Sequence, residues 1–69
     1  MNIVFHERLR LLRKEHGLKQ EELAAALGFT QRKISYWEKA VTEPDLDALW
    51  KISDYFGVTV DYLIGKSDY

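Results

Sequence analysis

Sixty-nine residues with no cysteine, two histidines and a formal charge of −1 point to one small domain without disulfides, thiolate metal sites or a credible zinc site. A chain this short buries only about 60% of its unfolded surface, so close helix packing, aided by dimerisation, must supply its stability. No apolar run approaches the ~20 residues of a membrane span and the N-terminus lacks a signal-peptide pattern, so a soluble, cytoplasmic protein without cofactors is expected.

Five helices account for almost the whole chain, which is expected to form a single all-α domain over residues 1–69. The first is expected over residues 3–15, with Asn2 as a cap; Phe5, Leu9 and Leu12 recur at helical spacing and His16-Gly17 ends it. The second covers residues 20–27, with Leu23 and Leu27 directed inward and Ala24 small where another helix must cross closely. Gly28 follows, where the backbone commonly needs a positive φ. Thr30 then offers a hydroxyl to cap a third helix over residues 31–39, whose buried face carries Ile34 and Trp37. Pro44-Asp45 opens a fourth over residues 46–56, with Leu46, Leu49, Ile52 and Phe56 forming an apolar stripe. Thr59 caps a short fifth helix over residues 60–64, with Val60 and Leu63 inward and Gly65 closing it. Val58-Thr59-Val60 is β-prone, but three residues cannot build a sheet. The four glycines each follow a helix, as in any small α-helical domain, and by themselves say nothing about function.

The net charge hides an asymmetry. Residues 1–39 hold eight basic and five acidic residues, a net of +3, whereas residues 40–69 hold two basic and six acidic residues, a net of −4. One side suited to phosphate and another suited to something else has this distribution, although an ordinary mixed-charge surface does too. The third helix adds the more specific signal. Gln31, Arg32, Lys33, Ser35 and Tyr36 are polar, lie near its start and fall off its buried face, and a helix presented in this way fits the major groove of DNA.

Residues 20–39 resemble the helix-turn-helix of the lambda repressor/Cro-like family of bacterial and phage transcription regulators. Gln20, Ala24, Gly28, Ile34 and Trp37 occupy the positions of the family pattern. The similarity extends through Arg8-Leu9, Arg13 and Gly17-Leu18 on one side, and through Pro44, Leu46, Leu49 and residues 57–63 on the other. It implies a compact five-helix, lambda-repressor-like DNA-binding domain that regulates transcription, with repression the expected mode, as a homodimer on a palindromic operator.

Carried onto this chain, the pattern makes Gln31 and Arg32 base-reading residues. Glutamine pairs bidentately with adenine and arginine with guanine, each discriminating by about 1–3 kcal/mol. Tyr36 matches a base-reading position one turn on, against the alternative that it only shields Trp37. Lys33 and Ser35 are further candidates at base edges, against plain solvation and a local backbone bond. Lys19, Gln20, Thr30 and Lys39 are the expected phosphate contacts, Gln20 at a helix N-terminus where amides and dipole favour an anion. Arg13 and Glu38 match a structural ion pair between the first and third helices. Two departures stand out. Lys19 replaces the family's capping Thr, Ser or Asn, leaving Glu22 to supply half of a capping box. Lys39-Ala40 replaces Asn-Gly, which puts the geometry of the next phosphate-binding loop in question.

Other readings use the same fold differently: an antitoxin whose acidic half holds a toxin protein, or a protein-interaction module without DNA binding. Trp50 lies off the stripe of the fourth helix, either exposed or covered by the C-terminal tail. Together with Tyr55, Tyr62 and the acidic C-terminal half it suggests a surface for a second copy or another protein. No nucleophile–base pair or preorganised oxyanion site accompanies Asp45, Asp47 and Asp61, so an enzyme is not expected.

Overall fold

The apolar periodicity resolves into five helices in a computed structural model, which describes residues 4–68: α1 (Phe5–Glu15), α2 (Gln20–Leu27), α3 (Gln31–Glu38), α4 (Leu46–Phe56) and α5 (Val60–Ile64). No strand occurs among the described residues. The cap expected at Asn2 and the helix start expected at residue 3 lie outside them; α1 is described from Phe5, behind Val4. Helix α3 stops one residue short of the expected end, and Lys39 is its C-cap.

Each helix sends one aliphatic side chain to the centre. Leu9, Leu23, Ile34, Ile52 and Leu63, from α1 to α5 in order, are all fully buried. Trp37 enlarges this core from α3. Its ring meets Phe5 edge-on at 6.2 Å and Phe29 at 5.2 Å between centroids, so one indole joins α1, α3 and the turn before α3. Helix α3 packs mainly on α2 and α1, whereas α4 packs on α2 and α5.

The fourth helix departs from the expected stripe. Its buried residues are Ala48, Ile52 and Ser53, with Leu49 and Phe56 half-buried against the core. Leu46 is 83% exposed. It is the first residue of the helix, and the core does not extend that far toward the N-terminal end of α4. Ser53 is accommodated because its hydroxyl donates to the Trp50 carbonyl at 2.9 Å. Asp45, expected only to favour a helix start, caps α4 by accepting the Ala48 N–H at 2.8 Å.

The first and last helices are fastened together by Arg8. Its guanidinium donates to the carbonyls of Tyr62, at 2.6 Å, and Ser67, and lies 4.3 Å from the centre of the Tyr62 ring. Asp68 adds an exposed carboxylate at 3.5 Å. Tyr62, expected at an open surface, is therefore half-buried beneath a cation.

Candidate nucleic-acid interface

The corner between α2 and α3 is built by three local devices. Gly28 takes the left-handed conformation at φ 77°, turning the chain at the end of α2, and the Phe29 amide closes the turn on the Ala24 carbonyl at 2.9 Å. Thr30 accepts the Lys33 N–H at 3.2 Å, which starts α3 in a new direction. Ala24 is buried beneath the crossing, so the helix with the polar face sits directly on α2.

On that face Gln31, Arg32 and Lys33 are exposed, Tyr36 is 40% exposed and Ser35 is half-buried. Lys33 places its ammonium 5.5 Å from the centre of the Phe29 ring, and Lys51 from α4 approaches the same ring at 5.3 Å. Phe29 carried no functional signal in the sequence, yet it anchors two lysines beside the turn.

A chain of hydrogen bonds runs from the interior to this surface. Arg13 donates through Nε and Nη2 to the two carboxylate oxygens of Glu38, at 2.6 and 2.9 Å, and through Nη1 to the Leu18 carbonyl at 2.9 Å. The two side chains are only 12% and 5% exposed. Hydrogen bonding to Glu38 holds the guanidinium above its ordinary pKa range, outweighing the opposing effect of burial. Glu38 Oε1 also accepts from Gln20 Nε2 at 3.2 Å, and Gln20 Oε1 accepts from Gln31 Nε2 at 2.8 Å. Gln20 and Gln31, expected as separate phosphate and base contacts, are one unit whose orientation is set by a largely buried ion pair. Sequence reasoning missed this coupling, because partners 11 and 18 residues apart leave no trace in periodicity.

The two departures resolve differently. Lys19 makes no side-chain cap; its backbone N–H donates to Glu22 Oε1 at 2.7 Å, the half of the capping box that a lysine, having no acceptor, leaves possible. At the other end Ala40 adopts φ 58°, the conformation glycine takes more readily. The amides of Lys39, Ala40 and Val41 donate back to Ser35, Trp37 and Tyr36 at 3.0, 3.2 and 2.9 Å. The glycine-like bend is thus kept without glycine, at the steric cost of a Cβ in the left-handed region. Lys39 itself is exposed.

No three metal-binding side chains converge among the described residues, and no helix there is long and apolar enough to cross a membrane. One cavity of about 200 Å³ lies under Phe5, Trp37 and the Ala40–Pro44 loop, bordered by His6 and Glu43.

Comparison with known proteins agrees with this architecture. A helix-turn-helix family model matches residues 9–63. The HTH-type transcriptional regulator ImmR of Bacillus subtilis is 36% identical over 62 residues, which cover 90% of this chain and 49% of that protein. A transcriptional regulator from Listeria innocua superposes with a TM-score of 0.88 at 35% identity, covering 94% of this chain and 61% of its own. The P22 c2 repressor, solved in complex with a synthetic operator, superposes with a TM-score of 0.85 at 32% identity, covering 91% of this chain and 96% of its own. The chain spans about half the length of the curated relatives it matches. The resemblance carried by Gln20, Ala24, Gly28, Ile34 and Trp37 therefore holds across the fold, and the chain belongs to the helix-turn-helix family.

Proposed function

We propose that this chain binds double-stranded DNA sequence-specifically and regulates transcription, most simply as a repressor acting in the cytoplasm. The observation that carries the reading is the exposed polar face of α3, anchored through Gln31, Gln20 and Glu38 to Arg13. With α3 in the major groove, Gln31 and Arg32 read base edges, and Tyr36, Lys33 and Ser35 extend the contact. Gln20 sits at the N-terminus of α2, where amides and dipole suit a phosphate. Glu22 already accepts the Lys19 amide, so the phosphate would meet the amides that follow and the Lys19 ammonium. Thr30 and Lys39 flank α3 and complete the backbone contacts, which fix register rather than sequence. The P22 c2 repressor, solved with a synthetic operator, is a parallel for such docking. A homodimer formed through the second half of the chain would span half-sites about one helical turn apart, near 34 Å. No catalytic activity is proposed.

Selection of bound duplexes from a randomised pool tests the reading. One recovered palindrome, bound by the native chain and lost with Gln31→Ala and Arg32→Ala, is the expected result. A pool that yields no preferred sequence would overturn it. Sedimentation of the complex checks the dimer: a single copy on the selected operator would refute that part alone.

A further inference from the structure

The cavity under the Ala40–Pro44 loop takes no part in the DNA-binding reading. Its volume is about 200 Å³, and four helices each give it one apolar wall: Phe5 from α1, Trp37 from α3, Leu49 from α4 and Ile64 from α5. Phe5 and Trp37 are each 4% exposed and meet edge-on with ring centroids 6.2 Å apart, so the core itself fixes the aromatic part of the wall. Water against such a wall finds few partners for its hydrogen bonds, and an apolar space of about 150 Å³ already suffices for a benzene ring. Polar side chains border the cavity at His6, Thr42 and Glu43. Thr42 and Glu43 are exposed, which puts them at its mouth. A mostly apolar concavity with a few polar groups at one side is the ordinary form of a small-molecule site.

We infer that this cavity binds a small aromatic amine, with its ring against Phe5 and Trp37 and its ammonium at Glu43. Volume limits the ligand to one ring with a short arm. The wall favours an aromatic ring over an aliphatic group of equal size, because a third ring extends the edge-on pair of Phe5 and Trp37. Charge chooses the arm. Among the described residues Glu43 has no ion-pair partner, whereas His6, the other ionisable group at the cavity, already meets Glu7 at 3.7 Å. Glu43 also stands in the half of the chain, residues 40–69, that carries a net −4. An ammonium at the mouth is therefore attracted and a carboxylate repelled. Glu43 is exposed, so the preference it confers is modest. None of the residues that border the cavity is a proposed DNA contact, and the site stands whether or not the chain reads an operator.

Titration of the full chain with benzylamine, benzyl alcohol and benzoate, three probes with one ring and different arms, tests the inference by amide and indole N–H shifts. Benzylamine is expected to bind with an about millimolar dissociation constant, moving the Trp37 indole, the amides of residues 40–44 and those of Phe5 and Ile64. Benzyl alcohol should move the same signals about threefold more weakly, and benzoate more weakly still. Glu43→Gln should make benzylamine and benzyl alcohol equal without abolishing either. Ile64→Phe fills the cavity and should remove the response to all three probes, with circular dichroism confirming the fold; Glu43→Gln, at an exposed position, keeps the test valid should that variant not fold. No response to benzylamine, shifts centred away from these residues, or benzoate bound as tightly as benzylamine would overturn the inference. So would a preference for benzylamine that survives Glu43→Gln.

Discussion

Helices α3 and α4 both turn a full face to solvent, but they prepare it in opposite ways. On α3 the outward side chains are polar, and Gln31 is oriented through Gln20 by a carboxylate that Arg13 holds at 2.6 Å. On α4 the outward Leu46 and Trp50 have no such tether. Hydrogen bonds are directional, so a surface that reads base edges benefits from having its donors fixed beforehand. Apolar burial is non-directional and needs only area and fit. The contrast separates a face whose donors are fixed from within from one that simply exposes apolar area.

The comparison breaks most severely at Arg13. Arg13→Ala strands Glu38 at 5% exposure, and urea denaturation should record a loss of about 3–5 kcal/mol, much of the stability of a domain this size. A smaller but more pointed effect is expected inside the network. Gln20→Ala and Gln31→Ala, measured singly and together for operator binding, should be non-additive by about 0.5–3 kcal/mol, because each removal disables the other. Additive losses would mean that the two glutamines act separately. Ala40→Gly relieves the left-handed alanine and should raise stability by roughly 1 kcal/mol in thermal or urea unfolding; a decrease would show the Cβ to be unstrained. The smallest change belongs to α4. Trp50→Ser should alter stability by less than about 0.5 kcal/mol, as at an ordinary surface position; a larger loss would mean that the indole packs on its own domain.

Much of this fold is legible in the residues, for physical reasons that also mark where legibility stops. Leu9, Leu23, Ile34, Ile52 and Leu63 fall on helical periods, and Thr30 and Thr59 cap as their positions suggest, because these are local properties of the chain. Leu46 precedes Leu49 at helical spacing and is nevertheless exposed, because a spacing of three residues alone does not put a side chain on the face that Ala48 and Ile52 bury. The polar candidates on α3 were visible from composition and from the family pattern, but their linkage through Gln20 depends on how α1, α2 and α3 meet. Ala40 was harder, since a residue that usually avoids positive φ adopts it where the family has glycine. Arg8 was counted only as positive charge and as part of a first-helix pattern. Its partners 54 and 59 residues away become neighbours only once the domain is assembled.

That last contact has a consequence for the order in which the domain forms. The α2–α3 corner closes over a few residues and costs little chain entropy, whereas the Arg8 fastening joins segments separated by most of the chain. Local contacts of the first kind are reached early in folding and distant ones late. Arg8 therefore acts as a latch set at the end, and substitutions there should change the rate of opening more than the rate of folding. With the latch broken, α5 and residues 65–68 are expected to open before the corner that presents α3, an order that amide hydrogen exchange would record.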